Sequence, residues 1–179
     1  DKDSSHIAGF RVDQIEAVIA KLVDQPFTRQ AQMITWMPNI DTQVYDPPCL
    51  QSLWYRILED KDGVYWLNSN IRFRSNDAWG ANFMNMFGFV QFSREEIADE
   101  IQKRTGKKVK LGRMNWQADS FHIYGRDIEK AKGMLFDRVD SMSFEERTYN
   151  FHDEFIQEMY QMAEPVILQK IKDYQERNA

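Results

Sequence analysis

LWYRILEDKDGVYWLNSNIRFR, residues 53–74, decides the fold. Two runs rich in aromatic and branched side chains flank Asp60 to Gly63, a cluster of turn formers, and this pattern predicts a long β-hairpin. Upstream, alternation in QAQMITW (residues 30–36) predicts another strand. Before it, Asp13 and Glu16 form a capping box. Ile15, Val18, Ile19 and Leu22 then make an apolar helical stripe that stops short of Pro26, which places a helix at about 13–24. Downstream, Asp77 is positioned to cap AWGANFMNMFGFV (78–90), a helix apolar nearly all round and therefore expected to be buried. SREE, from Ser93, opens an amphipathic helix, RTGKK makes a turn, and a further strand ends in FHIYG. A short helix at about 127–136, a capping box in SFEE at Ser143, and a tail from Phe151 to Tyr174, helical apart from Pro165, complete the chain. Helices mixed with hairpin strands predict an α/β (α+β) sandwich: a mixed, largely non-parallel sheet with helices packed on one face.

With 179 residues and no repeats or glycine-rich linkers, the chain is expected to form a single domain over 1–179. Its net charge of −5 argues against binding a nucleic-acid polymer, whose phosphates need a basic field. No apolar run approaches the ~20 residues that span a bilayer, and DKDSSH lacks the features of a signal peptide. No membrane association and a cytoplasmic location are therefore expected. The single cysteine suits a reducing compartment.

That cysteine, Cys49, follows two prolines in DPPCL, which hold its backbone rigidly. It is either a buried core thiol or a nucleophile, and the second requires positive charge, from Arg29 or Arg74, brought close by the fold. RFRSND sets Arg74, Ser75 and Asp77 between a strand and a helix, where a guanidinium, a hydroxyl and helix N–H groups suit a phosphate. A solvated turn with a cap is the alternative. His122 and Tyr124, two apart in a strand, would share a face and offer their polar tips to a sugar hydroxyl. Asn85, inside the apolar run, is an amide that needs partners and whose donor and acceptor match a uracil edge. No metal-ligand spacing and no glycine-rich phosphate loop are present.

Taken in order, TRQAQMITW, DPPCL, RFRSNDAWGANFMN and DSFHIYG resemble the successive motifs of the thymidylate synthases and related pyrimidine-nucleotide hydroxymethylases, over about Asp13 to Gly125. The resemblance matches Arg29, Trp36 and the Pro-Cys nucleophile at Cys49, then Arg74, Ser75, Asp77 and Asn85, then His122 and Tyr124. It implies that the Cys49 thiolate adds to C6 of a pyrimidine deoxynucleoside monophosphate, making C5 nucleophilic toward a one-carbon unit from 5,10-methylenetetrahydrofolate or a related reduced pterin. Arg74 and Ser75, with Arg29 shared across a homodimer interface, would hold the phosphate. Asp77 would join a catalytic polar network, Asn85 would read the base, and His122 with Tyr124 would hold the ribose. The implied activity is methyl transfer to dUMP, giving dTMP. The alternatives are a dUMP or dCMP hydroxymethylase, and a non-catalytic nucleotide-binding homologue.

The chain also departs from the pattern. Gln30, Leu50 and Phe73 stand where the family has arginine, commonly histidine, and glutamine. No counterpart precedes Cys49 for the family's N-terminal portion, with its catalytic glutamate, phosphate-loop arginine and folate-facing tryptophans. The helical tail, about 141–179, does not resemble the usual closing segment.

Overall fold

The computed structural model describes residues 12–177, so the acidic DKDSSH start lies outside the described residues. The chain divides into two compact units, Asp1–Asp127 and Ile128–Ala179.

The first unit is built on a four-stranded sheet in the order β1-β2-β3-β4, with β1 at Gln32–Ile34, β2 at Leu50–Glu59, β3 at Tyr65–Asp77 and β4 at Val109–His122. The expected hairpin is β2–β3. Its turn is organised by Asp60, whose Oδ1 accepts the Asp62 and Val64 amides at 2.9 Å each, while Oδ2 accepts Trp66 Nε1 at 2.7 Å. The Trp66 bond is the main reason the Asp60 carboxyl titrates below its usual range. Gly63 closes the turn at φ +75°, a conformation that favours glycine. β1 keeps only three residues of the expected strand. Beyond it the Thr35 hydroxyl turns onto the Leu50 carbonyl, and Asp41 accepts the Met37 amide at 2.5 Å to start a single helical turn, α2, at Pro38–Asp41.

β1–β2 and β2–β3 are antiparallel, whereas β3–β4 is parallel, giving the mixed sheet expected. A parallel neighbour needs a crossover. Here it is α3 (Asn82–Phe92), a π-helical turn (Ser93–Ala98) and α4 (Asp99–Thr105), ended by Gly106 at φ +70°. The helix expected from Ser93 is therefore a continuation rather than a new start. One face of the sheet forms the core. Tyr55, Ile57, Leu67, Ile71 and Phe73 pack beneath Ile97 and Ile101 and beneath Val18, Ile19 and Leu22 of α1 (Gln14–Asp24). Asp13 caps α1 by accepting the Glu16 amide at 2.9 Å. The buried Tyr55 hydroxyl meets Ser93 Oγ at 3.0 Å; burial pushes its pKa up to about 12, against the opposing pull of that bond.

Two expectations about α3 are corrected. Its N-cap is Ala81, without a side-chain cap, because Asp77 ends β3 and its carboxylate is already taken by the turn amides of Trp79 and Gly80. No residue of α3 is buried: it turns Phe89 and Phe92 onto the core and leaves Phe83 at 76% and Met84 at 66% exposed. Apolar composition all round a helix does not bring partners to every side.

The second unit holds α5 (Ile128–Leu135) and α6 (Glu154–Arg177). The Ser143 box forms reciprocally, with Glu146 N donating to Ser143 Oγ at 3.2 Å and Ser143 N to the Glu146 carboxylate at 2.8 Å, yet turns follow it rather than a regular helix. Pro165 lies inside α6 and does not interrupt it. The carbonyl it leaves unbonded belongs to exposed Gln161, where solvent can satisfy it. Among the described residues no helix is long and apolar enough to cross a membrane.

Candidate active site

Cys49 sits on the loop leading into β2 and is exposed, so it is not a core thiol. Across the hairpin, Arg74 of β3 grips that loop. Its backbone N–H donates to the Cys49 carbonyl at 2.8 Å, Nε to Pro48 O at 3.2 Å and Nη2 to Pro47 O at 2.5 Å. Asp46 Oδ1 lies 3.5 Å from the same Nη2. The two prolines restrict the loop backbone and, lacking N–H groups, offer only carbonyls, which the donor-only guanidinium can fork across.

A second cluster forms where β3 and β4 end together. The parallel register sets Ser75 beside Ser120, Asn76 beside Phe121 and Asp77 beside His122, and Ala78 N donates to His122 O at 2.8 Å. Asp77 is held below the usual carboxylate range, first by the Gly80 amide, then by that of Trp79, with His122 and Arg126 adding attraction. Gly80 is needed for this approach, since a Cβ there would lie 2.5 Å from Asp77 Oδ2. The His122 and Tyr124 rings meet edge to face at 5.0 Å, and the Arg126 guanidinium stands 4.9 Å over the Tyr124 ring. β4 stops at His122, so Tyr124 is beyond the strand and the expected sharing of one strand face does not hold; the two rings converge just past the strand end instead.

Asn85, half-buried on α3, donates from Nδ2 to Asn76 Oδ1 at 3.3 Å. Asn76, only 3% exposed, donates in turn to Asn82 Oδ1 at 2.7 Å. Neither Asn76 nor Asn82 stood out in the sequence. Burial in β3 alternates from Tyr65 to Phe73 and then slips, so that Asn76 turns inward out of phase. The available signal was asparagine at 82 and 85, one helical turn apart, following the asparagine of RSND.

Arg29 joins none of these groups by contact. It is exposed, its carbonyl accepts Trp54 Nε1 at 3.0 Å, and its guanidinium has no partner among the described residues. Ser75 is half-buried, with its hydroxyl likewise unpaired there. No cluster able to hold a metal ion occurs among the described residues. A separate groove of about 430 Å³, lined by Ile15, Met33, Leu50, Leu53, Phe89 and Phe92 among others, contains none of the candidate residues.

Comparison with known proteins follows this geometry. The family profile described as Thymidylate synthase matches residues 2–177, past both ends of the motif series. A protein of Methanococcoides burtonii named "Putative thymidylate synthase" is 34% identical over 125 residues, covering 70% of this chain and 52% of that protein. Its namesake in Methanocaldococcus jannaschii is 34% identical over 128 residues, covering 68% of this chain and 52% of its own. Thymidylate synthase 1 of Bacillus spizizenii is 27% identical over 132 residues, covering 73% and 43%. The chain thus spans about half the length of the archaeal relatives it matches. The thermostable thymidylate synthase A of Bacillus subtilis has the same fold, with a TM-score of 0.54 at 24% identity over 68% of this chain and 40% of that one. The matched span and the archaeal identities show that this chain belongs to the thymidylate synthase family.

Proposed function

We propose that this chain carries the nucleotide-binding and nucleophilic part of a thymidylate synthase acting on dUMP, with Cys49 as nucleophile. The observation that carries the proposal is the Arg74 guanidinium fastened to the Pro47 and Pro48 carbonyls of the loop that carries the exposed Cys49. A positive charge held against the loop attracts the nucleotide phosphate. Cys49 Sγ adds to C6 and makes C5 nucleophilic; once C5 has bonded the one-carbon unit, loss of the C5 proton and expulsion of the thiolate restore the C5=C6 double bond. Arg74 and Ser75 hold the phosphate, joined by Arg29 from the second subunit of a homodimer. Asn85 reads the base and His122 with Tyr124 holds the ribose. Asp77, kept ionised by turn amides, belongs to the polar network at the reacting end.

Methylenetetrahydrofolate, when bound, supplies the one-carbon unit and the reducing hydride. The surface beside Asn85 suits a flat ring: Phe83 is largely exposed and stacks on Phe87 at 6.3 Å and 21°. Phe83, Met84 and Trp79 would form the wall that this chain contributes.

The test is mass analysis of products after the intact gene product is incubated with dUMP or dCMP and methylenetetrahydrofolate. The expected product is dTMP from dUMP. A product heavier by one oxygen would make the protein a hydroxymethylase. Nucleotide binding without turnover or a Cys49 adduct would make it a non-catalytic homologue.

A further inference from the structure

An asparagine amide has two ends of nearly equal size and opposite hydrogen-bonding sense, so a lone asparagine can turn to suit uracil or cytosine. Uracil offers an acceptor at O4 and a donor at N3; cytosine offers the reverse. Asn85 therefore discriminates between them only if something prevents it from turning.

The structure contains such a device. The Met86 thioether accepts hydrogen bonds and cannot donate them, and Asn82 aims Nδ2 at its sulfur, 3.5 Å away. That leaves Asn82 Oδ1 for Asn76, which commits its own Nδ2 there at 2.7 Å. Asn76 is left with Oδ1 for Asn85, and Asn85 must answer with Nδ2, at 3.3 Å. Asn82, Asn85 and Met86 lie on one face of α3 by their spacing, and Asn76 rises to meet them from β3 at 3% exposure, where a mispaired end would be left without water. Direction thus passes from a sulfur that cannot donate, through two amides, to a third.

We infer that Asn76 is a positioning residue that locks the Asn85 amide in one sense and thereby sets the choice between uracil and cytosine nucleotides. The inference rests on the pyrimidine-nucleotide reading of the site. One Nδ2 hydrogen of Asn85 is held by Asn76, and the second hydrogen and Oδ1 face the base in fixed order.

The test uses the intact protein and two variants, Asn76→Leu, which keeps the branching of the side chain and removes the acceptor, and Asn82→Leu, which removes the directional anchor while leaving Asn76 itself in place. Two quantities are measured: hydrogen exchange of the Asn85 side-chain amide by NMR without nucleotide, and the ratio of dUMP to dCMP dissociation constants by calorimetry. Both variants are expected to release the protected Asn85 proton and to bring the dUMP preference down by about tenfold, the scale expected from mispairing one buried polar contact. Equal weakening of both nucleotides with the Asn85 proton still protected would reduce Asn76 to a structural role and overturn the inference. A wild type that binds neither nucleotide would overturn the nucleotide reading, while the exchange measurement would still decide the lock.

Discussion

Arg74 Nη2 lies 2.5 Å from the carbonyl oxygen of Pro47, so a side chain on β3 determines the position of the loop that presents Cys49. The same residue joins backbone to backbone at Cys49 O. Loop position and local positive charge therefore come from one residue, and its substitution should affect both.

Arg74→Ala is expected to weaken binding of a nucleoside monophosphate by ~1.5–3 kcal/mol while changing nucleoside binding far less, since a charge-assisted contact to phosphate is lost. Arg74→Lys retains charge without the fork across Pro47 and Pro48, and should recover only part of the affinity. Calorimetry with dUMP and deoxyuridine on each variant measures both effects. Equal losses for the two ligands would assign Arg74 to the loop alone.

Cys49→Ser should leave folding and nucleotide affinity near wild type, because the side chain is exposed and serine is similar in size. Turnover should vanish, serine being a far weaker nucleophile at neutral pH. Intact-protein mass spectrometry after incubation with 5-fluoro-dUMP and methylenetetrahydrofolate should show a covalent adduct on the wild type only. Residual turnover by the serine variant would remove Cys49 from its role.

Asp77 titrates below the usual value of 3.8 in the folded protein. A depressed folded pKa contributes stability that is fully present above 3.8 and is lost as pH falls below it through the lower folded value. Asp77→Asn keeps an oxygen for the Trp79 amide but cannot ionise. The stability gap between wild type and variant should therefore be largest near neutrality and narrow as pH drops below 3.8, as read from urea unfolding at successive pH values. A gap that stayed constant with pH would mean that the charge of Asp77 does not stabilise the fold.

Gly112→Ala is expected to destabilise the protein by about 1–3 kcal/mol. A Cβ there would sit 2.7 Å from Asn68 Oδ1 and 3.2 Å from the Leu67 carbonyl, where the β3–β4 register shifts. Asn68 cannot easily yield, because its Oδ1 accepts the Arg113 amide at 3.0 Å and its Nδ2 donates to Trp66 O at 2.9 Å. In a double-mutant cycle, Asn68→Ala should absorb part of the cost. Full additivity would show that the clash lies with the Leu67 carbonyl instead.

The sequence by itself determined the features that depend on near neighbours. Alternation and the Asp60 to Gly63 turn marked the hairpin, the Asp13 cap and the stripe through Val18, Ile19 and Leu22 marked α1, and the ordered motifs pointed to the family to which the chain belongs. Each is readable because helix and strand periods and turn chemistry act over a few residues. Only the tertiary structure decided which ends of those elements meet. The parallel register brings Asp77 to His122, the hairpin brings Arg74 to the proline loop, and α3 lies over Asn76, which falls outside the strand's alternation. Tertiary contacts also left no residue of α3 fully buried despite its composition. Burial and side-chain pairing between distant segments depend on where the chain returns, and no local period encodes that.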